Sequence, residues 1–449
     1  MQTKKMTVGS PVKLIFSFAL PLMLGNVFQQ LYTVVDTMVV GQALGVNALA
    51  AVGAVDWLNW MMLGIIQGLT QGFGVILAQR FGAEDENGLR HATANATYLS
   101  IVFAVILTII GLVIARPVLV LLRTPDTIID MSMSYLVVAF LGIPIIFSYN
   151  FLAAILRALG NSKAPLQAMV VACAVNVILD ILFVMVFHWG IQGAAIATVI
   201  AQVTSAVYCF WKLMGIPVIK MDKNAMRVDM RLCRQHLLMG LPMAFQNAII
   251  AIGGMIVQFV VNGFGVIFLA GYTATNKLYG TLEIAATSYG FAVSTYAGQN
   301  MGAGLIERIR KGTKSAVMIG IGTAVVIMII MLTCGKWILG CFISGDAQTV
   351  ESTMQVAFLY LQIMSVCLPI LYVLHVLRSC IQGMGNTVLP MLSGIGEFVM
   401  RTGAVLLLPP YLGEVSVFYS EVLAWIGADV VLIISYFYCM RKVTRMMRK

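Results

Sequence analysis

Residues Leu14–Val40, LIFSFALPLMLGNVFQQLYTVVDTMVV, form a 27-residue run whose one charged side chain is Asp36. About 20 apolar residues cross the ~30 Å hydrocarbon core of a bilayer as a helix, so the run predicts a membrane span. Residues Pro165–Phe187, PLQAMVVACAVNVILDILFVMVF, repeat the theme with Asp180. An acid near the middle of a spanning helix costs roughly 2.5–3.5 kcal/mol on insertion scales and normally faces a partner or a water-filled path. Asn176 lies one helical turn before Asp180 and shares its face, so Asn176-Val-Ile-Leu-Asp180 is a cluster of polar oxygens rather than a stray charge.

The rest of the chain agrees with that reading. Of 449 residues, 60% are hydrophobic and 10% charged, and the mean hydropathy is +0.94. The expected spans are Leu14–Val40, Leu49–Leu77, Ala92–Ala115, Met131–Leu156, Pro165–Phe187 and Ile191–Leu213. A second set covers His236–Val261, Val266–Val293, Thr313–Leu332, Met354–Leu377, Leu389–Leu408 and Val417–Tyr438. The fold class is therefore an all-α polytopic membrane protein with twelve transmembrane helices and no separate soluble domain.

A net charge of +10 raises the question of nucleic acid, but the basic residues alternate by loop instead of forming a binding patch. The outer gaps hold only Arg116, Arg123 and Lys336, and nearly all other lysines and arginines fall in the inner gaps and tails. That is a positive-inside pattern with both termini cytoplasmic. Lys4 and Lys5 before an apolar run mimic a secretory signal, yet the run is too long and lacks a small-x-small cleavage site, so a retained first helix is expected. The eight cysteines are scattered without a Cys-x-x-Cys pair and read as buried free thiols.

The polar stretch Lys212–Gln235 separates six spans from six, so residues 1–213 are expected as one lobe, 214–235 as a cytoplasmic linker and 236–449 as a second lobe. Pro21 recurs as Pro242, and Gly160-Asn-Ser-Lys-Ala-Pro165 recurs as Gly385-Asn-Thr-Val-Leu-Pro390, with Pro144 and Pro369 at the same offset. Duplication explains the order. An even number of spans per half gives both halves the same orientation, which predicts parallel repeats about the membrane normal. Pro21 and Pro242 lie inside the first helix of each half, where a missing backbone hydrogen bond makes either a fixed bend or a hinge.

Counting along the helices places Asp36, Asn176, Asp180 and Thr198 at one depth. Two carboxylates, an amide oxygen and a hydroxyl form either an oxygen site for a sodium ion, a proton-sharing acid pair, or a hydrogen-bonded packing network. The second half has no acids at the matching positions but carries Lys277, Glu283, Glu397 and Arg401 as candidates for a cavity lining; Glu397 and Arg401, four apart, are placed to pair with each other. Asp56 and Asp429 are expected at a boundary or exposed to a cavity. His91, His188, His236 and His375 are expected at span ends, without metal-ligand spacing. Trp57, Trp60, Trp189 and Trp337 suit interfacial anchors. Twenty-nine methionines, with Phe and Tyr, offer an adaptable surface for apolar ligands.

In order along the chain, the Pro21 to Asp36 interval, Asn176-x-x-x-Asp180, Gly193-Ala-Ala-Ile-Ala-Thr198, Gly298-Gln-Asn-Met-Gly-Ala303 and the repeated Gly-Asn-x-x-x-Pro resemble the multidrug and toxic compound extrusion (MATE) transporters. The resemblance covers essentially the whole chain. It implies a V-shaped pair of six-helix lobes that alternates between outward-open and inward-open states and exports cationic or amphiphilic drugs in antiport with sodium ions or protons. It further implies a cation or proton coupling site at Asp36, Asn176, Asp180 and Thr198, a helix-one bend at Pro21, and no cofactor beyond the coupling ion. A monomer in the plasma membrane of a prokaryote is expected. The chain departs from the sodium-driven branch, which uses acids in helices seven and ten: here helix seven offers Gln246, Asn247, Gln258 and Asn262, and helix ten His375 and Arg378.

A lipid-linked saccharide flippase shares the broader architecture and is the nearest rival, although such proteins tend to have a more cationic cavity than this acidic first half. A membrane enzyme would need a nucleophile-base pair or metal motif, and neither His-Glu-x-x-His nor Gly-x-Ser-x-Gly occurs.

Overall fold

The computed structural model describes residues 3–122, 124–220, 225–343 and 347–446. Arg123, counted above among the outer basic residues, and residues 221–224 of the expected linker lie outside the described residues. Among the described residues every regular element is a helix. The first half comprises α1 (Pro11–Leu44), α2 (Val46–Gly82), α3 (Glu86–Leu121), α4 (Asp126–Leu141), α5 (Ile143–Ala158), α6 (Lys163–Asp180) and α7 (Ile191–Met214). The second comprises α8 (Met230–Val261), α9 (Val266–Gly302), α10 (Ile306–Gly340), α11 (Ala347–Gly383), α12 (Val388–Leu407), the single turn α13 (Pro409–Leu412) and α14 (Ser416–Met446).

Among the described residues nine helices are by themselves long and apolar enough to cross a membrane, and α4 with α5, bent by 46°, makes ten. Pro144 opens α5, where its missing N–H and fixed φ favour a helix start and so break the span at Gly142. The other two expected spans are α9 and α12, whose apolarity is diluted by Lys277 and Glu283 in one and Glu397 and Arg401 in the other. Outward faces are apolar, as lipid requires: Ile101, Val105, Ile109 and Val113 line an exposed stripe of α3, and Val430, Ile434 and Phe437 one of α14.

The chain divides into two compact units, unit 1 with residues up to Lys5 and Leu20–Ala244, unit 2 with Met6–Ala19 and the chain from Phe245 onward. Two helices therefore contribute to both units. α1 changes membership between Ala19 and Leu20, beside Pro21, and α8 between Ala244 and Phe245, beside Pro242.

Within unit 1, Leu58, Phe73, Phe140, Phe147 and Leu156 belong to one buried core. α2 meets the first part of α8 through small residues: a Cβ added at Gly68 or Gly72 would run into the backbone at Ala244 or Gly240. The described end of the expected linker is held on α3. Buried Asn95 accepts the Asp229 N–H at 2.8 Å and donates to the Arg227 carbonyl at 3.2 Å, while the Tyr98 hydroxyl donates to Met226 at 2.9 Å. In unit 2 the core is aromatic: Phe268 stacks on Phe418, Phe418 on Tyr360 and Tyr360 on Tyr272, with centroids 5.4, 4.6 and 5.2 Å apart.

The duplication is visible in the turns. Gly160 (φ 79°) and Gly385 (φ 90°) adopt the left-handed conformation that glycine tolerates, and the next residue caps the following helix in each half. Asn161 Oδ1 accepts the Ala164 N–H at 3.0 Å, and Asn386 Oδ1 accepts the Leu389 N–H at 3.1 Å. α2 and α9 each run 37 residues from a left-handed glycine, Gly45 and Gly265.

Candidate cation site

Unit 1 gathers four side chains from three helices. Asp36 on α1 is buried, Asn176 and Asp180 on α6 are wholly enclosed, and Thr198 on α7 is half-buried. The Asn176 amide donates to the Thr198 hydroxyl at 3.4 Å. Asp36 and Asp180 stand close enough to sense each other's charge. Asp36 Oδ1, Asn176 Oδ1 and both carboxylate oxygens of Asp180 are buried without a hydrogen-bond donor.

That imbalance decides the chemistry of the site. Native proteins pair buried polar groups, and an isolated carboxylate in a low dielectric is expensive enough to neutralise itself. Chemically, four acceptors with no donor can be satisfied by a proton shared between the acids or by a cation held by oxygens. The four atoms are all oxygen, the ligand type that hard cations prefer. Among the described residues no three His, Cys, Asp or Glu side chains come together as a metal-binding set.

Sequence reasoning missed the surroundings of this site. Tyr32 is buried and accepts from the Gln202 amide at 3.4 Å, while Gln202 Oε1 is a further buried acceptor without a donor. Tyr135 on α4 interacts electrostatically with Asp36, Asp56 and Asp180. The signal was there: Tyr32 precedes Asp36 by four residues and Gln202 follows Thr198 by four, so each shares a helix face with a site residue. No signal announced the next feature. Directly after Asp180 the helix widens into a π-helical segment, Ile181–Val186, which buries Val184 against Val40, Ala48 and Ala194. Such segments are rare and recur at functional sites.

Pro21 is buried within α1, fifteen residues before Asp36. The four second-half candidates do not form one group. Lys277 is exposed, and Glu283 pairs with His375 at 3.3 Å. Glu397 accepts from Arg378 at 2.8 Å and Arg401 at 3.0 Å, and Arg401 also reaches Glu421 at 2.8 Å. Glu421 was not singled out from the sequence. Three expectations need correcting. His375 lies inside α11 with Nε2 3.3 Å from Glu283, and His236 is wholly buried with Nε2 against the Ala92 carbonyl at 3.0 Å, so both side chains face protein and not a surface. Asp429 is buried, with Oδ1 lacking a donor, because its helix face turns toward the Arg378–Glu397 pair and not toward a boundary. Cys334 and Cys341, at the end of α10, are exposed and Cys173 and Cys367 half-buried, so only Cys209, Cys233, Cys380 and Cys439 are the buried free thiols expected.

A family model described as MatE matches residues 21–182 and 242–403, once in each half. A relative from Bacillus subtilis strain 168, named probable multidrug resistance protein YpnP, is 29% identical and covers 92% of this chain and 92% of its own. The multidrug export protein MepA of Staphylococcus aureus is 21% identical over 86% of each chain. Two solved structures share the fold at 21% identity over the full length of both chains. One is a multidrug resistance MATE family transporter of the MOP superfamily in an outward-facing conformation, with a TM-score of 0.89. The other is a MOP superfamily transporter from Pyrococcus furiosus whose reversed binding-pocket polarity is described as suggesting a different function, with a TM-score of 0.91.

Proposed function

The chain belongs to the MatE family of multidrug efflux transporters, and from that premise we propose that it exports cationic or amphiphilic small molecules by alternating access, in antiport with sodium ions or protons. The observation that carries this reading is the donor-free set of buried oxygens at Asp36, Asn176 and Asp180. An ion or proton entering from outside neutralises the two acids and favours one conformer, and an exported cation favours the anionic form. Coupling needs only different affinities of the two states for these ligands. Moving an equilibrium from about 1:99 to 99:1 takes ~5.5 kcal/mol, of which a potential of ~100 mV acting on one full charge provides ~2.3 kcal/mol.

In this reading Asp36 and Asp180 supply the negative charge, Asn176 Oδ1 and the Thr198 hydroxyl complete the oxygen set, and Gln202 with Tyr32 walls the site off within unit 1. Pro21 weakens α1 where it passes between units and is proposed as the bend of that helix. The skew of basic residues supports a plasma-membrane protein with both termini in the cytoplasm, and a monomer suffices because each half carries its own buried core.

Purified protein in liposomes, with a sodium or a proton gradient imposed separately, tests the reading. Efflux of a lipophilic cation driven by either gradient is the expected result. Transport confined to anionic or lipid-linked substrates would replace it with the flippase alternative.

A further inference from the structure

The two units can be aligned residue by residue from their turns, and the alignment sets a guanidinium against the candidate cation site. Asn176 lies fifteen residues beyond the capping Asn161, and Arg401 lies fifteen beyond the capping Asn386. Thr198 lies eight residues beyond Gly190 (φ 64°), and Glu421 lies eight beyond Gly413 (φ 60°). Contact confirms the register. Asn176 meets Thr198 in unit 1, and Arg401 meets Glu421 in unit 2.

The acids of unit 1 have apolar counterparts. Asp36, fifteen residues after Pro21, corresponds to Val257, fifteen after Pro242; Asp180, nineteen after Asn161, corresponds to Val405. Both valines are wholly buried. Tyr32 corresponds to Gly253, which Arg401 packs against: a Cβ there would lie 3.3 Å from Phe398 and in ordinary contact, 3.5 Å, with Arg401 Nη1. The counterparts of Tyr135 and Asp56 are Tyr360 and Asn276, joined by a 3.2 Å hydrogen bond, so a further acid has become a neutral amide.

We propose that the Arg401 guanidinium is a built-in cation, which holds in unit 2 the role that an exchangeable ion or proton plays in unit 1, so that the transport cycle loads its coupling ion in unit 1 alone. This rests on the reading of Asp36 and Asp180 as the ion site. Direct contacts support it. Arg378 bonds to Glu397 and Arg401 to both Glu397 and Glu421, with Asp429 beside the Arg378–Glu397 pair, whereas the orphaned carboxylate oxygens of unit 1 have no cationic side chain bonded to them. Arginine keeps its charge at every accessible pH, and its tether keeps it in place at every gradient, so the Arg401 cluster has no ion to release.

The test uses methylguanidinium as a soluble stand-in for the deleted head group. Purified Arg401→Ala is expected to bind one equivalent of radiolabelled methylguanidinium, which the wild type and the charge-balanced Arg401→Asn, Glu421→Thr double variant do not. A monodisperse Arg401→Ala that binds none, or a wild type that binds as much, would overturn the proposal. If Arg401→Ala cannot be purified, the double variant decides: an unchanged number of ions exchanged per drug supports the proposal, and a changed number overturns it. Asp36→Asn serves as the separate control. Ion dependence that survives it refutes the unit 1 site, while methylguanidinium binding by Arg401→Ala is independent of that residue.

Discussion

Asn176 on α6 donates its amide hydrogen to the Thr198 hydroxyl on α7 across 3.4 Å, and this one bond leaves the amide oxygen of Asn176 as a buried acceptor beside two carboxylates. With Asp36 Oδ1 and both Asp180 carboxylate oxygens it makes four buried acceptors without a donor.

Replacing Asp36 or Asp180 with Asn keeps the shape and removes a charge. Each variant is expected to reach the membrane at wild-type levels, because an uncharged amide lowers the insertion cost. Gradient-driven efflux should fall by about tenfold or more, the effect of losing ~1.4 kcal/mol of differential binding. Efflux assays in liposomes check this, and full activity of the double variant would remove both acids from the mechanism.

Asn176→Ala and Thr198→Ala delete neutral oxygens only. A sodium ion loses ligands and its apparent affinity should drop several-fold, whereas protons need only the carboxylates and should be little affected. Titration of efflux against sodium at fixed pH, and against pH without sodium, separates the two coupling ions.

Gly72→Val should destabilise the protein, since any Cβ at Gly72 meets the backbone at Gly240. Overpacking of this kind costs about 1–3 kcal/mol. Gly322→Ala, where a Cβ meets nothing within 4 Å, is the matched control and should melt at or slightly above the wild-type temperature. Thermal unfolding in detergent reads both.

Labelling with a membrane-impermeant thiol reagent tests the orientation. A cysteine at Glu414 should react from outside intact cells and one at Lys311 only after permeabilisation. The background must lack Cys334 and Cys341, whose exposure would otherwise add signal. Reaction of the Lys311 position in intact cells would invert the topology.

Hydropathy, loop charge and the repeated Gly-Asn and proline landmarks contain the architecture, because lipid demands long apolar helices and duplication leaves its turns at a constant spacing. Asp36, Asn176, Asp180 and Thr198 were legible for a related reason: a polar side chain is conspicuous where apolar neighbours are the rule. Partners were not. Glu421 and Arg378 come from α14 and α11 to meet α12, Gln202 reaches Tyr32 across 170 residues of chain, and helix-face spacing ranks such pairings only within one helix. The π-helical widening after Asp180 has no local sequence signature, since it answers to the packing of Val184 against other helices. The charge state of each unit also waited on the fold. Glu397 and Arg401 look self-contained at four residues apart, and only the fold shows that Arg378 and Glu421 join them in one chain of ion pairs while Asp36 and Asp180 have no cationic side chain bonded to them.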